Sequence, residues 1–510
     1  MANRVIVQFE GDGSGVAELS WGQDAIWSVM QDTADSLPMG GARALPPGQT
    51  VTDVAAGLSF IISRHQALRT RLRFDPDGQT RQVVHASGEI ALEVVDAGDG
   101  DPAEVAAAVA AGYKARKFDY EHEWPLRMAV ITHRGAATHV AEMICHIAVD
   151  AFGLAALHDD FDRRHDQARP VTAMQPMEQA SRQRGPSGRR VHEASMRYLE
   201  RVAASVPDLQ LTASAEPRQP RWWLLTLDSP AGYRAAGILA ARLGLSTSPV
   251  LLAAFAVALA SVSVSRRVAV HIVCSNRFRP GFADSVSPVM QSCLGVIDTD
   301  GPFEEVARRS WESGLRAYKY AYHDPAAASE VYERLVAERG VEPDWGVVFN
   351  DRRVLSRESA DTMSAADGAP SLRDELARST LTWSDRHDMP QPKVFLSICD
   401  VPGTLSCEVC ADTHFMNPAD IEGLLWRIET VLVDATSLLS PGSSGRAYRP
   451  SARAARRRSR AAKSASNRSS SSSSDNAASS APPPFSAIRA ESRPADTISA
   501  SAAIVGVATM

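Results

Sequence analysis

Residues 138–153 read THVAEMICHIAVDAFG, and the fold turns on how they are read. Thr138 to Ile144 is a strand-like apolar run, a helical run starts near Leu154, and Cys145 to Gly153 connects them. His146 and Asp150 stand four apart in that connection. An imidazole delivered at the end of a buried strand, with a carboxylate a few residues on, fits a general base and its orienting group. Cys145 invites a second reading, a thiol nucleophile activated by His146. Adjacent residues at a strand end point to opposite faces, which argues against it.

Outward from this stretch the pattern stays regular. Leu126 to Thr132 and Thr138 to Ile144 form the arms of a hairpin that turns at Arg134-Gly135-Ala136. Leu154, Leu157 and Phe161 then give one face of a helix. Upstream, residues 1–15 read as a short lead with a Gly-rich piece. Ser20 with Gln23 makes a capping-box pattern ahead of Ile26, Trp27 and Met30. A second helix runs from Thr52 to about His65, with Val54, Leu58, Ile61 and Ile62 at helical spacing. Next, Leu68, Thr70, Leu72 and Phe74 alternate with Arg69, Arg71 and Arg73, which predicts a strand with one buried face and a solvated arginine ladder.

Downstream, residues 166–191 read as a loop-rich crossing broken by Pro170, Pro176, Gly185, Pro186 and Gly188. A helix is expected from His192 to Ala204, then an extended linker from Pro207 to Pro220. Trp222 to Leu227 opens the second half as a strand. Val250 to Val264 is apolar on nearly every face and predicts a buried helix. Val268 to Cys274 is a strand, and a loop follows from Ser275 to Leu294. Trp345 to Asn350 and Leu405 to Val409 are further strands. Ile421, Leu424, Leu425 and Ile428 mark a closing helix. Residues 354–378 are a polar excursion with no assigned role.

The 510 residues suffice for two lobes and additional material, and 44% hydrophobic residues can fill real cores. The net charge of −6 conceals an asymmetry. Residues 441–510 hold 11 Lys/Arg and 3 Asp/Glu, whereas residues 1–440 hold 43 and 57. An acidic body argues against nucleic acid as the main partner. The tail, with Arg456-Arg457-Arg458 and an unbroken serine run from Ser469 to Ser474, is expected to be disordered. The six cysteines show no disulfide framework. Cys407 and Cys410, three apart in a strand-like run, face opposite sides and do not share a metal. No targeting segment is apparent, and the longest apolar run is short of the ~20 residues a bilayer span needs. The expectation is a soluble, cytoplasmic protein with no membrane partner and no metal.

Taken together, these pieces resemble the condensation domains of nonribosomal peptide synthetases, within the chloramphenicol-acetyltransferase-like acyltransferase superfamily. Cys145, His146, Asp150 and Ala151 occupy the defined places of the H-H-x-x-x-D-G signature, with Cys for the first His and Ala for the Gly. Leu19 to Trp27 (LSWGQDAIW) resembles S-x-A-Q-x-R-L-W through Ser20, Gln23 and Trp27. Arg64 to Leu72 resembles R-H-E-x-L-R-T-x-F, with Gln66 for Glu and Leu72 for Phe. Asn276 and Arg277 match a later motif, in which Ser287 stands for a Gly and Gln291 for an Asn. Tyr322-His323-Asp324-Pro325 is a shortened echo of H-Q-D-x-P-F-E. The resemblance covers roughly residues 16–437 in the right order.

The resemblance implies a mixed α/β (α+β) fold of two chloramphenicol-acetyltransferase-like lobes in a V with a central cleft or tunnel. The lobes would be residues 16–205 and 221–437. It implies that His146 acts on an incoming amine or hydroxyl, which attacks an acyl thioester on the phosphopantetheine arm of a carrier protein. Carrier protein and adenylation enzyme would act in trans, with no cofactor bound to the chain itself. Asp150 would make a structural ion pair, with Arg277 the first choice of partner and Arg69 the second. Cys145, Ala151 and Gln291 are candidates for lining the tunnel, and the Cβ of Ala151 would intrude where the family has a Gly. Two other readings remain open: an acyltransferase that takes acyl-CoA, and a non-catalytic condensation-like module that recruits a partner.

Overall fold

The computed structural model describes residues 3–164, 170–353 and 372–438. The 441–510 tail and most of the 354–378 excursion lie outside the described residues. In chain order the first half contains β1 (Asn3–Glu10), β2 (Gly15–Glu18), α1 (Trp21–Thr33), β3 (Met39–Ala44), α2 (Val51–Arg64), β4 (Thr70–Phe74), β5 (Thr80–Val84), β6 (Ser87–Asp96), α3 (Pro102–Lys114), β7 (Leu126–His133), β8 (Ala136–Ile144) and α4 (Ala151–Asp162). The helices α5 (Pro176–Arg184) and α6 (Pro186–Ala203) lead across. The second half contains β9 (Trp222–Ser229), α7 (Pro230–Leu243), α8 (Thr247–Ala260), β10 (Arg267–Cys274), β11 (Gln291–Asp298), α9 (Phe303–Tyr320), α10 (Pro325–Arg339), β12 (Val347–Asp351), α11 (Leu372–Leu376), β13 (Thr380–His387), β14 (Val394–Cys399), β15 (Leu405–Asp412) and α12 (Pro418–Leu438).

Each half is organised by its own sheet. The first sheet runs β1-β6-β7-β8-β3, and the second runs β11-β10-β12-β14-β15-β9-β13. A small third sheet, β2-β5-β4, belongs to the first half. β8 lies between β7 and β3, which pair both of its edges, and Val140 to Ile144 are buried. The β7–β8 turn needs two consecutive left-handed residues, and Arg134 (φ 51°) and Gly135 (φ 80°) supply them, the geometry that suits the twist of a tight hairpin. In the second half α8 is buried on nearly all sides and packs with α7, α9 and α12 over the sheet. The mixed α+β, two-lobed class is the one expected. No single helix among the described residues is long and apolar enough to cross a membrane.

Four sequence expectations are corrected. Residues 3–10 are not a lead: β1 pairs antiparallel with β6 from Asn3↔Val94 to Glu10↔Ser87 and closes the first sheet. From residue 170 on, the 166–191 crossing is largely helical, because Pro176 and Pro186 sit in the first turns of α5 and α6, where a missing N–H costs nothing. The arginine ladder is not uniformly solvated. Its first residue ends a 3-10 turn (Gln66–Arg69), and Arg69 is buried. The polar excursion ends earlier than residue 378: α11 begins at Leu372, and β13, at the sheet edge, follows from Thr380.

Candidate functional site

β8 delivers Cys145 and His146 at its carboxyl end, and after a six-residue connection α4 begins. The connection is held locally. Ala148 N–H donates to the Cys145 carbonyl at 3.0 Å, and Val149 N–H donates to the His146 carbonyl at 3.2 Å. His146 N–H reaches the Ser36 carbonyl at 3.3 Å. The His146 ring is buried, and its Nδ1 lies 2.7 Å from the Val149 carbonyl oxygen. A carbonyl only accepts, so Nδ1 carries the proton and Nε2 holds the lone pair. Burial pushes the imidazole below the ordinary histidine pKa, against the opposing pull of the Val149 carbonyl and the Asp150 carboxylate. At neutral pH the ring is therefore an uncharged base with Nε2 as its proton-accepting atom.

Asp150 is the N-cap of α4: its Oδ1 accepts from Gly153 N–H at 2.8 Å. The same oxygen pairs with Arg277 Nη2. Its Oδ2 accepts from Val289 N–H at 3.0 Å and Met290 N–H at 3.3 Å. One carboxylate from the first half thus binds a guanidinium and two backbone amides of the second. Arg277 completes the clamp by donating to the carbonyls of Phe282 (3.1 Å), Ser285 and Ser287 (3.1 Å). Asn276, held left-handed at φ 55°, donates through Nδ2 to the carbonyls of Val289 (3.0 Å) and Ala321 (2.7 Å). A short polar residue tolerates that conformation.

Of the two arginines expected as partner for Asp150, Arg277 makes the pair. Arg69 is committed elsewhere: Nη1 donates to the carbonyls of Gly13 (2.7 Å) and His85, and Nη2 to that of Asp12. It ties the loop after β1 to the small sheet. Cys145 points into the first half, clustered with Leu19, Trp27, Phe118 and Ile147. Burial pushes its thiol up to about 12, so it is no thiolate at neutral pH. Ala151 is the first residue of α4 and does not adopt a positive φ, so its Cβ fits an ordinary helical start. Gln291 starts β11, and its side chain brackets the His323 backbone, donating to its carbonyl at 2.8 Å and accepting from its N–H at 3.2 Å. With His271 and His323 it lines a cavity of about 40 Å³ that Ala25 of α1 and Ser195 of α6 also line. A separate small cavity is lined by Cys145, Ile147 and Ala148; His146 lines neither.

Sequence reasoning missed α5. Its Gln179 donates through Nε2 to Ser285 Oγ (2.9 Å), Ser287 Oγ (2.7 Å) and the Met174 carbonyl (3.0 Å). Gln183 accepts from Trp21 N–H at 2.9 Å and donates to the Tyr322 hydroxyl at 2.9 Å. Two glutamines thereby hold α1 and the 281–289 loop to one helix. The signal for it was the spacing of Pro176 and Pro186, read as breakers instead of helix starts.

Residues 45–290 match the family model described as Condensation domain. That stretch of the chain is similar to a condensation domain. The cyclosporin synthetase simA of Tolypocladium inflatum is 24% identical over 317 residues, which cover 57% of this chain and 2% of that protein. The chain therefore aligns to only a small fraction of that relative. Among solved structures, the condensation domain that mediates chain release from the enacyloxin polyketide synthase superposes with a TM-score of 0.62 at 21% identity, covering 84% of each chain. The X-domain from teicoplanin biosynthesis gives a TM-score of 0.62 at 16% identity, covering 84% of this chain and 96% of that one. At such identities the neighbours show a shared fold alone.

Proposed function

We propose that the protein forms an amide or ester bond in nonribosomal peptide or related natural-product biosynthesis. An amine or hydroxyl attacks the carbonyl carbon of an acyl thioester carried on the phosphopantetheine arm of a carrier protein, which an adenylation enzyme has loaded. The new C–N or C–O bond forms as the C–S bond breaks. The nucleophile's proton passes to Nε2 of His146 and leaves with the departing thiolate. No acyl-enzyme forms, and Cys145 takes no part. Holding two tethered reactants together supplies much of the acceleration.

The observation that carries this reading is the His146 tautomer. A buried, neutral imidazole has its Nδ1 proton fixed on the Val149 carbonyl and its Nε2 left as the base. The test is intact-mass analysis of an acyl-loaded carrier protein incubated with candidate amines and alcohols. His146→Ala should cut product formation by ~10²–10⁴-fold while the fold is kept. Product formed at the wild-type rate by His146→Ala would end the catalytic reading. The rate should hold down to pH values below the ordinary histidine range, because the base stays unprotonated there. Turnover of an acyl-CoA with no carrier protein present would identify an acyl-CoA-dependent enzyme instead.

A second reading has one observation behind it: the first signature histidine is Cys145, packed into the core. A neighbour in fold, the X-domain from teicoplanin biosynthesis, has been solved in complex with OxyB. On this reading the chain recruits a partner protein to a carrier, and His146→Ala leaves product formation in a reconstituted pathway unchanged.

A further inference from the structure

The outer face of α9 carries an apolar stripe where an amphipathic helix should be polar. Trp311, Leu315 and Tyr318 recur at i, i+4 and i+7, and they are 43%, 49% and 38% exposed. Phe278, 59% exposed, extends the stripe and meets the Tyr318 ring edge-on at 5.8 Å between centroids. Single exposed apolar residues need no explanation, but a contiguous cluster with several large aromatics has the composition of an interface core. Its rim is basic. Arg308, Arg316 and Lys319 lie on the same helix, and Arg279 donates to the Tyr318 (3.4 Å) and Lys319 (3.2 Å) carbonyls at its end. The acids of this helix are Glu304, Glu305, paired with Arg309 at 3.1 Å, and Glu312, paired with Arg316 at 3.1 Å, which leaves Arg308, Lys319 and Arg279 as the basic side of the rim.

We propose that this face is the dock for the carrier protein, which meets it through an acidic helix; this rests on the reaction proposed above. Three observations select that occupant. A basic rim on a body with 57 Asp/Glu against 43 Lys/Arg calls for an acidic partner. The chain's own residues 441–510, with 11 Lys/Arg against 3 Asp/Glu, carry the wrong sign to cover it. The patch is also continuous with the candidate site. Phe278 points outward, while its neighbour Arg277, with its side chain 9% exposed, points inward to Asp150. A protein seated on Phe278 therefore lies one residue from the clamp that fixes the His146 loop.

The experiment compares two donors of one acyl group, one on a phosphopantetheinylated carrier protein and one on free pantetheine. Trp311→Ala combined with Leu315→Ala should raise KM for the carrier-borne donor about tenfold or more, with kcat unchanged within about twofold. Turnover of the pantetheine thioester should stay unchanged, since it needs no dock. Arg308→Glu combined with Arg316→Glu should raise the same KM and flatten its dependence on salt. Equal effects on both donors, or none on either, would overturn the proposal. So would light scattering that shows a wild-type dimer converted to a monomer by the apolar pair of substitutions, which makes the face a self-interface. If the wild type turns over neither donor, the proposed reaction fails on its own account. The dock is then read by binding of the holo carrier protein, where the same tenfold weakening in the apolar double variant is expected and its absence overturns the dock.

Discussion

The connection after β8 is six residues long, and the connection after β10 is sixteen. Both leave a buried strand at the same kind of place, and they meet at Asp150. The short one is held by its own backbone, through turn bonds inside residues 145–149 and a helix cap at Asp150. The long one contains no helix or strand between Ser275 and Met290. It is held by side chains: by its own Arg277 on three of its carbonyls, by its own Asn276 on a fourth, and from outside by Gln179 of α5 on two of its hydroxyls and Asp150 on two of its amides. The contrast teaches where rigidity comes from. A short loop is shaped by the residues within it, and a long loop takes its shape from a few polar side chains that satisfy many of its backbone groups at once.

The strongest way to break the comparison is to remove the group that joins the two loops. Asp150→Ala strips the partner from a buried guanidinium and uncaps α4, and should cost ~3–5 kcal/mol in a denaturant or thermal melt. An Asp150→Ala protein that melts like the wild type but is inactive would make the carboxylate purely catalytic. Acid comes next. Burial lowers His323 to about 4 and His271 to about 3, whereas an unfolded histidine takes up its proton near 6.5. Between those values the unfolded chain binds more protons, so stability is fully present above pH 6.5 and falls as the pH drops toward 4. For His323 alone the loss is about 3 kcal/mol by pH 4. Urea melts at pH 7.5 and 4.5 measure it, and His323→Gln should flatten the difference; no flattening would place the acid sensitivity elsewhere.

A smaller effect tests how tightly the long loop is pressed against the first half. A Cβ on Gly22, in the first turn of α1, would collide with the Pro288 carbonyl oxygen, backbone against backbone. Gly22→Ala should cost about 1–3 kcal/mol and shift the chemical shifts or exchange rates of residues 286–290. The smallest effect belongs to Cys145. With its thiol pushed up to about 12, it should resist alkylation in the native protein at pH 8 and react once unfolded, as peptide mapping by mass reads out. Rapid native alkylation would reopen the nucleophile reading.

Much of the first half was legible beforehand, for reasons that differ between elements. The β7–β8 hairpin announced itself through two apolar runs and an Arg-Gly turn. The start of α1 was fixed by Ser20 and Gln23, whose reciprocal hydrogen bonds are present. The chain's first strand was not legible, because residues 3–10 alternate weakly and gain their meaning only by pairing with β6. The edge strand β13 was hidden for the same reason: none of its residues is fully buried. The helix α5 has no apolar face to show periodicity, and it is held by its glutamines.

The sequence by itself determined the local pieces: the buried runs of β8, β10 and α8, the histidine at a strand end, and the carboxylate four residues beyond it. Such features depend on neighbours within a few residues, so the order of side chains dictates them. Only the tertiary structure decided between Arg277 and Arg69 as the partner of Asp150. Both arginines were plausible in sequence, and each is buried where carbonyls from 5 to 57 positions away converge on it. That convergence is a product of the topology, and no spacing along the chain encodes it.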